Sequence, residues 1–505
     1  MCNSNAQMTP PLQISLMLFD SLEGAGVRHC HWKSNQHLSD ALTGATDIDL
    51  LVDKCESIAC ESVLTGLGFK RVHSQPWTRY PGIEDWLGFD EQTGSLVHVH
   101  LHYQLLSGRK FVKEQHLPWE RLILDTAQRD PQFNIFITDP NLEIILLLIR
   151  VGLKTSTLAL LGGFLGRKFL PKNIIAEFKY LYERVDFKEV YKYANDLLQY
   201  ENGQMICSAI FDRSLERPAT IWQIKKVIRR VLSKQKRYGK LKTQTLGLYH
   251  FLYFFRSKVQ RKFGFFNQAG KRLHSGGKII TVIGCDGSGK STISRELRQW
   301  LSWKIDTHEL YLGTGDGSIG LPFKLLKFLA SRNGRRRTKL QAVSSAKMQS
   351  IPKKSVIRDL GSGFLGLSIA NERFRKTLKA NRMRINGGLV ITDRYPQNQF
   401  IGIYDGPRIN GTNGHNSRVR EFFARREQAK YQSMTELVPD FVVKLHVPVE
   451  VALSRKPDHN VDQIRSKAQI TRQLQFSGAE IIDINAAKPL DDVIKSVKKG
   501  VWESL

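Results

Sequence analysis

From Lys278 the chain runs KIITVIG, then Gly284-Cys-Asp-Gly-Ser-Gly-Lys290-Ser291-Thr292, then on through SRELRQWL to Leu301. The first stretch is short, apolar and β-branched, as in a buried strand. After the loop, Ile293, Leu297 and Leu301 recur at helical spacing. A GxxxxGK[ST] loop between a strand and a helix constrains the fold to an α/β unit built around a phosphate cradle. Gly284, Gly287 and Gly289 let backbone amides turn inward where a Cβ would obstruct close approach. The helix N-terminus adds partial positive charge beneath the phosphates. Lys290 brings a full charge to the β- and γ-phosphates, and Ser291 offers a hydroxyl to magnesium. With Ser288 and Thr292 completing the loop, the expected ligands are a nucleoside triphosphate, ATP by preference, and Mg2+.

The loop accounts for only part of 505 residues, a length that points to more than one domain. Residues 1–106 mix helical and strand patterns, with a helix over Pro10–Leu22 and strands over Thr46–Val52 and Leu96–Leu105. Residues 107–220 read as a helical extension, one helix opening at Pro140-Asn141. Residues 221–277 read as a linker, rich in Lys and Arg and without Asp or Glu, with aromatics bunched between Leu248 and Phe266. Two readings of it stay open: a surface helix pair and linker whose charges face water, or a basic amphipathic segment that touches anionic lipid or an acidic glycan. Residues 278–505 hold the phosphate-binding domain.

The formal charge of +29 raises nucleic acid as a partner, but no recognised nucleic-acid motif accompanies it, and specific nucleic-acid binding is not expected. The six cysteines form no CxxC pair, which fits reduced thiols rather than a disulfide framework. The first residues, MCNSNAQMTPPLQ, lack the pattern of a signal peptide. The longest apolar run, Ile144–Ile149, is far short of a membrane span. The expected location is cytoplasmic, with peripheral attachment to the inner membrane face as an option.

Further motifs follow the loop. Gly388–Thr392 is a second apolar strand and ends in Asp393-Arg394-Tyr395-Pro396. Pro439-Asp440 precedes another strand and a helix that enters a basic stretch, and AEIIDINAAKPLDDVIKSVKKGVWESL closes the chain. In this order the motifs resemble the thymidylate kinase family. The resemblance covers about 278–505 and implies a parallel five-stranded sheet wrapped by helices. It places Asp286 facing the acceptor's hydroxyl groups, and Asp393 holding magnesium or orienting the acceptor. Arg394 would clamp phosphate oxygens, a bidentate task that lysine performs poorly. Arg455, Lys456 and Arg465 fall in the lid that closes over the transferring phosphoryl group. Two stretches depart from the family: Pro396-Gln-Asn-Gln-Phe400-Ile-Gly-Ile-Tyr-Asp405-Gly-Pro replaces a Ser-rich stretch with an Ala-Tyr-Gln element, and Tyr311-Leu-Gly-Thr-Gly-Asp316-Gly replaces an Arg-Glu-Pro-Gly run. The donor side is kept and the acceptor side rewritten.

Near the N-terminus, His31-Trp-Lys33-Ser34-Asn35 precedes Gly44-Ala-Thr-Asp47-Ile-Asp49-Leu-Leu-Val52. Carboxylates two apart on a strand share a face and can hold a divalent ion against a triphosphate. Lys33-Ser34 ahead of GxxDxD resembles the polymerase-β-like nucleotidyltransferases, closest to the uncharacterised group fused to thymidylate-kinase-like domains and met among polysaccharide-biosynthesis proteins. This second resemblance covers about 10–160 and implies an α+β fold. Such folds carry a third acidic residue on a neighbouring strand. The candidate strand here, Leu96-Val-His98-Val-His100-Leu-His102-Tyr103, offers histidines instead, with His100 in the carboxylate's place. Three outcomes stay open: polar residues facing water, a site that binds without full transferase activity, or a histidine-completed metal site that favours Mn2+ or Zn2+.

The overall expectation is a phosphotransferase acting on a nucleotide-like or sugar-like acceptor, through its phosphate or hydroxyl group. It is fused to a nucleotidyltransferase-like module, in surface polysaccharide biosynthesis. The alternatives are a true thymidylate kinase and an ATP-binding regulatory protein.

Overall fold

In a computed structural model, the described residues are 9–262, 270–313, 353–409 and 418–505. The sequence runs 248–266 and 311–316 therefore extend partly outside them. The chain divides into two compact units, Met1–His274 and Ser275–Leu505.

The strands of the first unit are β1 (His29–His31), β2 (Ile48–Val52), β3 (Lys70–His73), β4 (Ile83–Asp90), β5 (Ser95–His102), β6 (Leu105–Ser107), β7 (Gln115–Leu117), β8 (Gln128–Arg129), β9 (Phe136–Ile137) and β10 (Arg272–Leu273). Eight of them form one mixed sheet in the order β10-β3-β4-β5-β2-β1-β9-β8, while β6 and β7 pair separately. β2 runs parallel to β5, with Asp49 beside His100, and β5 runs antiparallel to β4, with His100 beside Asp85. Apolar residues of β2 and β5 (Ile48, Leu50, Val97, Val99 and Leu101) pack with Leu18 and Leu22 of helix Gln13–Gly24.

A helical core lies under the rest of this unit. Helix Pro140–Lys154 starts where Asp139 accepts from the Asn141 amide and Pro140 takes the first turn. Every residue from Leu142 to Leu153 is buried, Glu143 and Arg150 included among otherwise apolar residues, as expected for a helix at the centre of a core. Among the described residues no single helix is long and apolar enough to cross a membrane.

The internal boundaries differ from those read from the sequence. β9 pairs with β1, and Cys30, Trp32 and Leu51 share a core cluster with Ile144–Ile149, so residues 1–106 and 107–220 fold together. The described part of 221–277 that lies in the first unit packs into it rather than running free. Ile221, Ile224 and Ile228 of helix Pro218–Val231 enter the same core, and β10 pairs with the sheet edge at β3. Helix Lys240–Lys262 turns Thr243, Gly247 and His250 inward, with His250 Nδ1 2.8 Å from Phe111 O. Its outward face leaves Leu241, Leu248, Leu252 and Phe255 at least half exposed.

The second unit carries β11 (Ile279–Gly284), β12 (Thr307–Tyr311), β13 (Leu389–Asp393), β14 (Phe441–His446) and β15 (Glu480–Asn485). They form one sheet in the order β12-β13-β11-β14-β15, and every neighbouring pair is parallel. All residues of β11 and β13 are buried, the pattern of central strands covered on both faces. The C-terminal ends of these two neighbours, at Gly284 and Asp393, open onto the same crevice, where ligands bind in parallel α/β sheets.

Candidate functional sites

The loop leaving β11 closes into helix Lys290–Leu301 through Gly287 and Gly289, at φ +85° and +92°. The glycines serve packing as well as conformation: a Cβ on Gly287 would lie 2.5 Å from Ala452 O, and one on Gly284 would lie 2.9 Å from Leu445 O. Lys290 is buried and donates to Cys285 O at 2.7 Å. Burial, with Arg394 nearby, lowers its pKa against the opposing pull of Asp393 and Asp286. Ser291 Oγ donates to Asp393 Oδ2 at 2.9 Å, which joins the first turn of the helix to the end of β13. Asp393 Oδ1 is buried without a hydrogen-bond partner among the described residues, as is Ser288 Oγ. A buried carboxylate oxygen left open beside a hydroxyl suits a divalent cation or its bound water. The residues expected to hold Mg2+ therefore have the donor set for it.

Asp286 gathers several cations of the crevice. Lys467 reaches it at 2.5 Å, Arg394 at 3.6 Å and Lys290 at 3.9 Å. Burial opposes its ionisation, but the Lys467 hydrogen bond and the surrounding charges outweigh burial and hold its pKa below the ordinary value. Arg394, at φ +80°, also lies 3.6 Å from Asp405.

The expected lid cations separate. Arg455 donates twice to Ala486 O at 3.1 Å and approaches Gly287 O at 3.4 Å, so it braces the loop from behind. Lys456 follows it at the end of helix Val449–Arg455. Arg465 lies on the surface and pairs with Asp462 at 3.4 Å. Lys467, which the sequence reading passed over, is the cation of helix Val461–Gln473 that reaches into the crevice. Helical spacing could have found it, because Ile464 and Thr471, on either side of it along one face, are the buried residues of helix Val461–Gln473.

A cavity of about 350 Å³ adjoins the loop, lined by Asp286, Lys290, Arg373, Arg394, Asp405 and Lys467 among others. Much of its wall is the segment 402–406, within the stretch that departs from the thymidylate kinase pattern. Gln397 Nε2 organises this stretch by donating to Phe400 O and Ile403 O, each at 2.9 Å. Tyr404 and Asp405 take φ +54° and +63°. Arg373, reaching in from helix Lys353–Ile385, pairs with Asp405 and donates to Tyr431 Oη, both at 2.5 Å. Arg373, Tyr404, Asp405 and Arg408 were not legible as site residues, because none sits in a recurring motif.

In the first unit, β2 and β5 bring the acidic pair onto the histidine strand. Asp47 lies 2.7 Å from His98 Nδ1, and Asp49 lies 3.2 Å from His100 Nδ1. Lys33 pairs with Asp49. Burial opposes the ionisation of Asp49, but Lys33, His100 and His102 hold its pKa well below the ordinary range. Ser34 is not gathered here; it sits at φ +57° and its hydroxyl points to Glu177. The sequence reading missed Asp85 on β4, opposite His100 in the sheet. Its carboxylate accepts from Ser74 Oγ at 2.5 Å and lies 3.0 Å from His98 Nε2 and 2.6 Å from Lys271 Nζ. A third acidic group is therefore present, on the strand beyond the one expected.

No protein-family model matches the chain. The chain is similar to YghR of Escherichia coli K12, described as an uncharacterised ATP-binding protein. The two are 32% identical over 224 residues, 44% of this chain and 86% of YghR. YghS of the same strain, described in the same terms, is 31% identical over 229 residues, 45% of this chain and 94% of its own length. With more than four-fifths of each relative covered at this identity, the chain belongs to the family of YghR and YghS.

Proposed function

We propose that the Ser275–Leu505 unit is an ATP- and Mg2+-dependent phosphotransferase of the thymidylate-kinase-like class. Its acceptor is a small molecule with a nucleotide-like or sugar-like body. The ATP-binding description of the relatives supports the donor. The observation that carries the transfer reading is the charge balance of the cavity. Lys290, Arg373, Arg394, Arg408 and Lys467 face Asp286 and Asp405 across one space. A site that only held a triphosphate would not need cations reaching in from helices Lys353–Ile385 and Val461–Gln473, remote in sequence from the loop.

The residues divide the work by position. The loop amides and Lys290 hold the β- and γ-phosphates, while Ser291 and Asp393 hold the magnesium that neutralises phosphate charge. Arg394 stands between the loop and the cavity, positioned to contact the transferring group. Lys467 and Arg394 fix Asp286, so that its carboxylate can orient an acceptor hydroxyl. Catalysis in such a site is positioning and charge neutralisation in a water-poor crevice. The Met1–His274 unit is proposed as a nucleotidyltransferase-like module, with surface polysaccharide assembly as the shared setting.

The test is a phosphoryl-transfer screen with labelled ATP against nucleoside monophosphates, sugars, sugar phosphates and lipid-linked glycans. Transfer to one class, lost in Lys290→Ala, supports the proposal and names the acceptor. Preference for thymidylate returns the unit to the parent family's substrate. Tight ATP binding with no transfer to any class overturns the phosphotransferase reading in favour of a nucleotide-dependent switch.

A further inference from the structure

The sheet of the first unit carries a second cluster of metal-ligating side chains. Asp49, His100 and His102 each offer one ligand atom, and these atoms lie within 4.8 Å of one another. Asp49 Oδ1 is the focus, 3.2 Å from His100 Nδ1 and 3.5 Å from His102 Nε2. Donors bound at about 2.1 Å around a tetrahedral centre stand roughly 3.4 Å apart. Both separations are of this size, and the two imidazole donors lie within 4.8 Å of each other.

His102 supplies an independent observation. It is 1% exposed, its Nδ1 has no hydrogen-bond partner among the described residues, and its Nε2 has only the long 3.5 Å approach to Asp49. A buried imidazole with one nitrogen unsatisfied and the other poorly satisfied is costly. One of its nitrogens is aimed at Asp49, so a ligand there would remove part of that cost. Its ring is held edge-on by Trp32, with centroids 5.1 Å apart. The site is open on one side, since His100 and Asp49 retain 24% and 15% side-chain exposure.

We infer that Asp49, His100 and His102 form a binding site for a borderline divalent ion of the Zn2+, Co2+ or Mn2+ type. This assignment differs from a magnesium site on the Asp47–Asp49 pair. Asp47 is engaged by His98 rather than by the cluster, and Asp85 is engaged by His98, Ser74 and Lys271. One carboxylate and two imidazoles make a donor set that Mg2+ binds poorly and that first-row transition ions favour. Three protein ligands leave one or more positions for water or for a phosphate oxygen of a ligand. Lys33 holds the same Asp49 oxygen, with its ammonium 4.7 Å from the Trp32 ring centroid. It competes with the ion for that oxygen, and the aromatic face can retain it when the ion binds.

The experiment uses the full chain, stripped with chelator and titrated with Co2+ and Zn2+ by visible absorption and calorimetry. Ser291→Ala in every variant keeps the phosphate-loop magnesium site out of the count. The expected result is one equivalent of Co2+ with the visible spectrum of nitrogen ligation, displaced by Zn2+ but not by a large excess of Mg2+. Affinity falls at least ~10-fold in His100→Ala and in His102→Ala, rises in Lys33→Met, and stays within about 2-fold in Asp47→Asn. His100 is the more exposed ligand, so His100→Ala keeps the test decisive if the His102 variant fails to fold. No bound equivalent in either the parent or Lys33→Met overturns the inference and leaves Lys33 as the cluster's resident cation. Binding that both histidine variants leave unchanged also overturns it.

Discussion

Ser291 Oγ and Asp393 Oδ2 share a 2.9 Å hydrogen bond across 102 positions of sequence. The bond exists because β11 and β13 are parallel neighbours, with Val282 registered against Asp393. It makes one site of the phosphate-binding loop and the second strand's acidic end. The prediction is that Ser291→Ala and Asp393→Asn each weaken the magnesium dependence of ATP binding while leaving metal-free binding nearly unchanged. Calorimetry with and without Mg2+ measures it. An equal loss in both conditions would mean that neither group acts through the metal.

Lys467 and Arg465 are two residues apart on one helix, and only Lys467 reaches Asp286. Truncating one member of a partly buried charge pair at a ligand site costs about 2–5 kcal/mol, so Lys467→Ala should lower transfer at least ~30-fold. Arg465→Ala removes an exposed pair worth about 0–1 kcal/mol and should cost less than ~5-fold. Steady-state kinetics on the two variants decide it, and equal losses would return Arg465 to the lid.

How much of this was legible in the sequence follows from how local each signal is. Gly284–Thr292 and Asp393-Arg394 are contiguous runs bound to a strand end, so their places could be read directly. Lys467 needed the helical phase of Ile464 and Thr471. Arg373 and Asp405 meet where the 396–406 stretch folds back on itself, held in part by Gln397, and a long-range loop closure leaves no periodic trace. The docking of 272–273 onto the first unit's sheet, inside the stretch expected as a linker at 221–277, was hidden for the same reason. β10 is two residues long, and its pairing with β3 is visible only in the folded sheet. Asp85 was hidden because β4 lies one strand beyond the histidine strand, where the resemblance puts the third acidic residue.

Gly287 tests the packing account of the loop. An alanine there would combine φ +85° with a Cβ 2.5 Å from the Ala452 carbonyl, a backbone contact that cannot rotate away. Gly287→Ala should destabilise the second unit by about 1–3 kcal/mol, seen as a lower unfolding midpoint without ligand. An unchanged midpoint together with lost ATP binding would assign this glycine to phosphate approach alone.

Glu143 carries the pH prediction. It is buried inside the helical core, and burial, with Glu177 nearby, pushes its pKa from 4.5 up to about 7. Between those values the folded state holds a proton that the unfolded state has released. This group's contribution to stability therefore falls as pH rises from about 4.5 to 7 and is flat above. Urea unfolding of the parent and Glu143→Gln at pH 5 and pH 8 should show the difference between them shifting in the variant's favour at pH 8. A difference independent of pH contradicts the protonated carboxyl.

The outward face of helix Lys240–Lys262 extends the proposal to a location. Leu248, Leu252 and Phe255 lie exposed on a helix with Lys and Arg at both ends and no acidic residue, a pattern suited to an anionic bilayer surface. Flotation with anionic vesicles at low salt should carry the parent chain and leave Leu252→Asp/Phe255→Asp behind. No flotation of the parent removes the membrane from the account.

The most direct measurement is ATP affinity of the purified full chain by calorimetry with Mg2+, for the parent and for Lys290→Ala with its fold checked by circular dichroism. The account predicts magnesium-dependent binding that falls at least ~30-fold in the variant, the loss of a buried ion pair to phosphate. Binding that is absent in the parent, or that the variant keeps in full, contradicts it.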